Sequence, residues 1–325
     1  MSVLDDIRAK AKALHRTVIL PEGNEERNLK AALMLTRDGL ASVILVEDEK
    51  SIRDNAARLG IDLTGIQIVD PRTSPKAAEF AALIYEKRKA KGMTPDKAAE
   101  LSRDPIYFAT CMLETGAAHA LVTGAVHSTG DMLRPALQIV GTAPGCKTVS
   151  SMFLMVMPDG KLFGFGDCAV LPDPTADQLA DIAIATAQTF KTLTGIEPIV
   201  AMLSFSTKGS AEHDMVTKVR QATDLAHQQA PQLVLDGELQ FDAAFVPSIG
   251  KRKAPDSPVA GKANVFIFPN LNAGNISYKM VQRLAGAQAI GPVAQGLARS
   301  ANDLSRGCSA EDIRDVCCIA LLNAR

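Results

Sequence analysis

Short apolar runs alternate with amphipathic helical patterns over the first 145 residues of this 325-residue chain. Four runs rich in β-branched residues predict strands over Thr17 to Pro21, Ser42 to Val46, Ile66 to Val69 and Ala120 to Thr123. Because helical patterns separate these strands, crossovers must join them, and a mostly parallel sheet covered on both faces is the fold that the alternation favours. This part of the chain is therefore expected to be an α/β domain.

The pattern changes at about Thr148. Two apolar runs, Ser150 to Met157 and Lys161 to Phe165, flank Pro158-Asp159-Gly160, a turn signal that predicts a β-hairpin. Further elements follow, predicted as a helix capped by Thr175, a strand over Pro198 to Ser204, a helix near Ala211 to Gln229, a strand over Val265 to Phe268 and a helix over Ile276 to Ala285. These patterns predict a second α/β domain.

The length of the chain exceeds what one hydrophobic core usually organises, so two domains are the starting expectation. We expect a first domain formed by 1–145 plus 293–325 and a second, inserted domain formed by 146–292. The absence of a long linker favours two connections through a shared hinge, and a ligand site is expected in the cleft between the domains.

The composition excludes several classes of protein. With 35 basic and 36 acidic residues and no long block of one sign, the chain lacks the positive footprint of a nucleic-acid binder. It contains no apolar run of about 18 residues and opens on a polar segment, which favours a soluble, cytosolic protein without a membrane partner. The six cysteines form no Cys-x-x-Cys pair, so neither disulfides nor a metal site is expected.

The segment from Asn302 to Ile313 combines a hydroxyl, a guanidinium and carboxylates at one predicted helix start. Ser309 and Asp312 form a Ser-x-x-Asp capping box before an apolar run, so Ser305 and Arg306 precede a helix N-terminus. Free backbone N–H groups and the helix dipole favour an anion there, and Arg306 suits a phosphate or carboxylate. Cys308 lies in the same turn, where the pKa of a thiol can fall, although a small filler of the loop is the simpler interpretation.

A second polar loop, Gly124 to Pro135, directly follows the strand at Ala120 to Thr123. Ligands of open α/β sheets collect at the carboxyl ends of strands, and Ser128, Thr129 and Arg134 suit a phosphate there. Ordinary helix capping by Ser128 or Thr129 is an equally good interpretation of the spacing. The loop matches neither the dinucleotide fingerprint nor the Walker pattern.

The two polar loops together resemble those of phosphate acetyltransferases, also called phosphotransacetylases. Other blocks resemble the same family along nearly the whole chain, at 144–151, 166–176, 201–210, 236–244 and 269–275. The resemblance implies two α/β domains like those of isocitrate and isopropylmalate dehydrogenases. It also implies an acyltransferase that moves an acetyl group reversibly between acetyl phosphate and coenzyme A, with inorganic phosphate as the other product or substrate.

The resemblance implies roles for three residues of the first polar segment. In that family the aspartate matching Asp312 is proposed to deprotonate the thiol of coenzyme A, although helix capping makes a competing claim on the same carboxylate. Ser305 would donate a hydrogen bond to the oxyanion, and Arg306 would hold the phosphate. We expect direct attack by the thiolate in a ternary complex, without a metal ion.

The resemblance also implies binding residues and an assembly. Arg134 and Arg88 match arginines implicated in coenzyme A binding, although Arg88 is also typical of a solvated helix end. Asn272 and Asn275 are expected in a strand-to-helix loop facing the ligand, against a simple turn-forming role. Coenzyme A is expected as a co-substrate with no permanently bound cofactor, and the family implies a cytoplasmic homodimer.

Two other functions fit the same residues. A phosphate butyryltransferase would use the same chemistry with a deeper apolar pocket for its longer acyl chain. A non-catalytic sensor of acetyl-CoA, like the related domains appended to malic enzymes, would bind without turnover. The presence of Ser305, Arg306 and Asp312 together favours an enzyme over a sensor.

Overall fold

A computed structural model describes residues 3–324 and divides the chain into two compact units. Unit 1 extends to Pro144 and resumes at Leu297, and unit 2 spans Gly145–Gly296. The sequence places the return to the first domain at residue 293, and in the structure the last strand of unit 2 continues to Gln295, which pairs with Ser150. Within residues 3–324, no helix is both long enough and apolar enough to cross a membrane.

The first part of unit 1 alternates helices and strands, as its sequence predicts. In chain order the elements are α1 (Val3–Ala13), β1 (Thr17–Leu20), α2 (Glu26–Arg37), β2 (Ser42–Val46), α3 (Glu49–Leu59), β3 (Ile66–Val69), α4 (Ala77–Arg88), α5 (Pro95–Leu101), α6 (Pro105–Glu114), β4 (Ala120–Val122) and α7 (Thr129–Pro135). All four predicted strands are confirmed to within one residue at their ends.

Unit 2 begins with the predicted hairpin. Its elements are β5 (Ser150–Val156), β6 (Leu162–Gly166), α8 (Ala176–Thr194), β7 (Ile199–Leu203), α9 (Asp214–Gln229), β8 (Val234–Leu239), α10 (Phe241–Phe245), α11 (Pro247–Lys253), β9 (Val265–Ile267), α12 (Leu271–Leu284) and β10 (Gln288–Gln295). The chain then returns to unit 1 with β11 (Ser300–Asn302) and α13 (Ala310–Asn323).

The five strands of unit 1 form one sheet in the order β11-β4-β1-β2-β3. All of its pairings are parallel, so the carboxyl ends of its strands lie at one edge. The chain moves from β1 to β2 and β3 on one side, and to β4 and β11 on the other. The direction in which successive strands are added therefore reverses between β1 and β4. Open α/β sheets bind ligands at the carboxyl ends of the strands that flank such a reversal.

Unit 2 contains a mixed sheet in the order β10-β5-β6-β9-β7-β8. The β10–β5 and β5–β6 pairings are antiparallel, whereas β6, β9, β7 and β8 run parallel to their neighbours. Aromatic rings fill one side of its core, where Phe153 stacks on Tyr278 with ring centroids 4.1 Å apart. Phe165 meets Phe266 edge-on in the same cluster, at 5.7 Å.

Two helices differ from the sequence prediction for identifiable reasons. The pattern does not predict α6, because every residue from Ile106 to Leu113 is buried and the helix lacks a polar face. Helix α12 begins at Leu271 and not at Ile276, since the side chain of Asn270 accepts a hydrogen bond from the amide of Ala273 and caps the helix.

A buried ion pair joins the first and last helices of unit 1. The guanidinium of Arg8 in α1 donates from Nε and Nη2 to the two carboxylate oxygens of Asp315 in α13, both at 2.8 Å. Arg314 donates to the same carboxylate at 2.9 Å. The Asp315 side chain is 4% exposed, so these arginines compensate a charge that water cannot reach.

Replacing Asp315 with Asn should lower the free energy of unfolding by about 3 kcal/mol, because it leaves the Arg8 guanidinium without its buried partner. Denaturant unfolding measures the change. Asp6→Asn is the matched control, since Asp6 pairs with Lys10 at the surface and its loss should cost under about 0.5 kcal/mol. Equal effects of the two substitutions would contradict a special contribution from the buried pair.

Candidate active site

Three polar segments follow neighbouring parallel strands of unit 1. Glu22 follows β1, residues 123–129 follow β4, and residues 303–309 follow β11. These strands are adjacent in the order β11-β4-β1, so the three segments meet at the carboxyl edge of the sheet. Both polar loops singled out by the sequence therefore lie at the same edge, together with a third segment that the sequence analysis does not include.

The carboxylate of Glu22 holds the loop after β4 through its backbone. Glu22 Oε2 accepts from the amides of Gly124 at 3.1 Å and Ala125 at 2.9 Å, and Oε1 accepts from those of Val126 and His127, both at 2.9 Å. The ring Nδ1 of His127 lies 2.8 Å from Oε1. Burial alone would raise the pKa of Glu22, but these hydrogen bonds outweigh it and hold the pKa below its usual value.

Gly124 allows the loops after β4 and β11 to approach each other closely. Its φ of +105° is open to glycine and strained for other residues. A Cβ atom at this position would lie 2.2 Å from Oδ1 of Asp303 and 2.8 Å from the amide nitrogen of Leu304. Any larger residue would therefore push the two loops apart.

The hydroxyls of both loop residues proposed for substrate binding donate to carboxylates. Ser128 Oγ donates to Asp131 at 2.7 Å. Thr129 Oγ1 donates to Oδ2 of Asp303, a hydrogen bond that connects the start of α7 to the segment after β11. Burial raises the pKa of Asp303 to about 6, with a smaller increase from the neighbouring Glu22, although the Thr129 hydroxyl lowers it. Asp303 is 4% exposed.

Arg27, near the start of α2, connects the same two loops by binding their carbonyls. Its Nη1 donates to the carbonyl oxygens of Arg306 at 2.8 Å and Cys308 at 3.0 Å. Its Nη2 donates to the carbonyl of Ala125 at 2.8 Å, while Nε pairs with Glu25 at 2.7 Å. One guanidinium thus fixes the spacing between the loops after β4 and β11.

The structure confirms the predicted capping box at the start of α13. Ser309 Oγ accepts from the amide of Asp312 at 3.1 Å, and Asp312 Oδ2 accepts from the amide of Ser309 at 2.9 Å. Oδ1 of Asp312 takes no part in this box, so one carboxylate oxygen lies outside the cap. Ser305 and Arg306 are exposed in the turn that precedes the helix.

Five of the six cysteines are buried, and Cys146 is half-buried. All six are free thiols, and no group of three His, Cys, Asp or Glu side chains in this range is arranged to hold a metal ion. The expectation that the pKa of Cys308 could fall is wrong. Burial raises it to about 11, which outweighs the nearby positive charge of Arg27.

Arg88 and Arg134 share a neighbourhood in unit 1. Both guanidinium charges act on Tyr107, which donates its hydroxyl to Gln138 at 2.9 Å. Arg134 is exposed in α7, and Arg88 is half-buried at the end of α4. Neither arginine, nor Arg306, forms a salt bridge with any residue in the described range 3–324. Three arginines of unit 1 thus keep their charge available to an anion.

Asn272 and Asn275 lie in unit 2, in the first turns of α12. The expectation that they occupy a loop is wrong, because α12 already begins at Leu271. Asn275 Nδ2 donates to the carbonyl of Cys168 at 3.0 Å, and its Oδ1 accepts from Lys279 at 2.8 Å. Asn272 is exposed. The amide of Asn275 is therefore used within unit 2, and that of Asn272 is accessible.

Sequence reasoning missed three residues that organise this edge: Glu22, Arg27 and Asp303. Each of them contacts a residue that is more than one hundred positions away along the chain. For Glu22, one feature of the sequence could have indicated this role. Pro21-Glu22-Gly23 directly follows the first predicted strand, so the Glu22 carboxylate lies at the carboxyl edge of the sheet, next to the loop that follows a neighbouring parallel strand.

Comparison with known proteins identifies the family. A family model described as phosphate acetyl/butaryl transferase matches residues 2–321. The chain belongs to the phosphate acetyl/butaryl transferase family. A phosphate acetyltransferase from Clostridium acetobutylicum is 51% identical, with 100% of this chain and 99% of that protein covered.

Solved structures of two members agree with the fold. A phosphotransacetylase from Streptococcus pyogenes superposes with a TM-score of 0.94 at 44% identity, covering 98% of this chain and 97% of that one. The EutD phosphotransacetylase from Staphylococcus aureus gives a TM-score of 0.91 at 44% identity, covering 99% of this chain and 98% of that one. The predicted α/β fold and its resemblance to phosphotransacetylases are therefore confirmed.

Replacing Glu22 with Gln should destabilise the protein by about 2–3 kcal/mol at pH 7, because an amide cannot accept from all four backbone N–H groups. Since the pKa of Glu22 is lowered on folding, its stabilisation is present above its unfolded value of 4.5 and is lost as the pH falls through the lower folded value. Chemical unfolding at pH 7 and pH 4 measures both effects. Glu79→Gln, at an exposed pair with Lys76, is the control, and an equal loss there would contradict the assignment.

Proposed function

We propose that this protein is a phosphate acetyltransferase, which moves an acetyl group reversibly between acetyl phosphate and coenzyme A. Its full-length similarity to phosphate acetyltransferases supports the reaction. The observation that carries the assignment of the site is the position of Ser305 and Arg306, exposed after β11 at the carboxyl edge of the sheet, next to the strands β4 and β1 at which the strand order reverses.

Arg306 is the proposed ligand of the transferred phosphate. Its backbone carbonyl is held by Arg27 at 2.8 Å, which fixes the main chain while the guanidinium stays exposed and forms no salt bridge in residues 3–324. A planar guanidinium can donate two parallel hydrogen bonds to phosphate oxygens. Arg306 would therefore orient acetyl phosphate and neutralise the charge that gathers on the leaving phosphate.

Ser305 is the proposed hydrogen-bond donor to the oxyanion. The hydroxyl lies in an exposed turn, and no histidine base is near it in sequence that would favour a covalent acyl-serine route. A hydroxyl aimed at the developing negative charge on the acetyl oxygen stabilises the transition state, typically by about 3 kcal/mol. Ser305 therefore acts without forming a covalent bond.

Asp312 is the proposed base for the thiol. Its Oδ2 belongs to the capping box, and Oδ1 lies outside the box, so capping and proton transfer can use different oxygens of one carboxylate. The thiol proton passes to Asp312, and the thiolate attacks the acetyl carbon. A C–S bond forms and the C–O bond to phosphate breaks, so that phosphate leaves with the electron pair of that bond.

Coenzyme A is the proposed co-substrate, and no permanently bound cofactor is part of the proposal. Arg88 and Arg134 are its proposed phosphate ligands, supported by their positions near Tyr107 and their lack of salt bridges in the described part of the chain. Ser128, Thr129 and Asn272 complete the proposed binding set together with Asn275, which would have to exchange its contacts with Cys168 and Lys279 for contacts to the ligand. A cytoplasmic location and a homodimer stay predictions from the sequence and the family resemblance.

Thioester formation tests the proposed reaction directly. Purified protein mixed with acetyl phosphate and coenzyme A should give a rise in thioester absorbance, together with stoichiometric release of inorganic phosphate. Faster turnover of butyryl phosphate would move the assignment to a butyryltransferase. Binding of coenzyme A without thioester formation would contradict an enzymatic function.

Two substitutions distinguish the proposed role of Asp312 as a base from its role as a helix cap. Asp312→Asn should reduce kcat by about 10²- to 10⁴-fold while leaving coenzyme A affinity nearly unchanged, because only the proton acceptor is lost. Ser309→Ala removes the other half of the capping box and should cost about 1 kcal/mol of stability with kcat near that of the wild type. Turnover of Asp312→Asn comparable to Ser309→Ala would identify Asp312 as a cap alone.

A further inference from the structure

The hydrogen of the Thr129 hydroxyl is already in use. Thr129 Oγ1 donates to Oδ2 of Asp303, whose ionised carboxylate can only accept. Thr129 is half-buried, so part of its side chain stays accessible at the edge of the sheet. In this arrangement the hydroxyl offers an approaching anion lone pairs and no hydrogen, which repels a phosphate oxygen.

The surroundings of the Asp303 carboxyl favour its protonated form. It is 4% exposed, and its Oδ1 is buried without a hydrogen-bond partner among the described residues 3–324. No arginine or lysine forms a salt bridge with it in that range. A buried acid lacking such partners favours its neutral form more than an exposed one does.

We propose that Asp303 is a positioning residue whose protonation reverses the Thr129 hydrogen bond and thereby turns Thr129 into a donor to the bound phosphate. When Asp303 carries a proton on Oδ2, that O–H donates to Thr129 Oγ1, and the hydroxyl hydrogen of Thr129 becomes free to point at a phosphate oxygen. One proton is taken up from solvent for each anion bound in this way, and no covalent bond is made or broken apart from O–H bonds. The inference deepens the proposed function and rests on it.

The charged groups around Asp303 set the pH range of this exchange. Burial and the charge of Glu22, from the segment after β1, raise the pKa of Asp303 to about 6, while Arg306 from its own loop lowers it. From the α7 side, Asp131 is held by Ser128 and His127 lies against Glu22. Because the free protein loses the Asp303 proton above about pH 6, anion affinity should fall as the pH rises through that value.

Sulfate is a suitable probe, because it resembles phosphate in shape and charge but does not itself titrate between pH 5 and pH 8. Calorimetric titration of the full chain with sulfate should give roughly tenfold weaker binding at pH 8 than at pH 5.5, the value of one charge-assisted hydrogen bond. At pH 7, titrations in buffers of different ionisation heats should reveal uptake of up to one proton per sulfate.

Three variants test whether the proton taken up with sulfate binds to Asp303. Asp303→Asn presents an N–H to Thr129 in place of the O–H, so it should bind sulfate at all pH values about as tightly as the wild type does at pH 5.5, without proton uptake. Thr129→Val should bind roughly tenfold more weakly at pH 5.5 and lose the pH dependence. Thr129→Ser keeps the hydroxyl and should retain it.

His127→Gln is the control for the neighbouring imidazole, which contacts Glu22, and it should leave the pH dependence intact. Three results would overturn the proposal: loss of the pH dependence of sulfate binding in His127→Gln, its persistence in Asp303→Asn, and sulfate binding by the wild type without proton uptake. Absence of sulfate binding by the wild type would overturn it as well. Thermal unfolding verifies that each variant is folded. Thioester formation by the wild type is recorded in parallel, so that failure of the inference is distinguished from failure of the proposed reaction.

Discussion

The buried carboxylate of Glu22 is the constraint on which the functional edge of unit 1 depends. Four successive amides, from Gly124 to His127, turn towards it, so the loop after β4 is shaped around a negative charge before any ligand arrives. A run of amides pointing into one concavity is the geometry with which proteins often bind phosphate. Here the protein supplies that anion itself. The loop is therefore held by its own contacts, and binding of a ligand at this edge would depend on side chains that project from this loop and from its neighbour.

The neighbouring loop, after β11, is held in turn by contacts to this rigid one. Arg27 binds carbonyls in both loops, Thr129 binds Asp303, and Gly124 permits the close approach. These contacts are of different chemical kinds, but all of them fix the distance between the loops after β4 and β11. Ser305 and Arg306 extend from this frame with exposed side chains, so the two residues proposed to act on the substrate are carried on a main chain that several contacts fix. A main chain that is fixed in advance would limit the entropy lost when a substrate is bound.

Local signals predicted a large part of the fold. The capping boxes of α8 and α13, the hairpin of β5 and β6 and the four strands before α7 all depend on residues close together in sequence. Helix α6 lacked such a signal because it is buried on all sides, and the start of α12 depended on a cap by Asn270 that an apolar pattern does not reveal. At the site, family resemblance singled out exposed residues such as Arg306. Glu22 and Asp303 act through contacts between distant segments, which only the order of strands in the sheet brings together.

The position of β11 in the sheet has a consequence for the newly made chain. Strand β4 lies between β1 and β11, and β11 is synthesised only after the whole of unit 2. Until then β4 is an edge strand with unpaired backbone groups, the kind of surface on which nascent chains pair wrongly with one another. The Glu22 contacts, in contrast, need only the first part of the chain and can form on the ribosome. The segment with Ser305 and Arg306 would then add to contacts that are already in place, so the proposed site is complete only once the last strand joins the sheet.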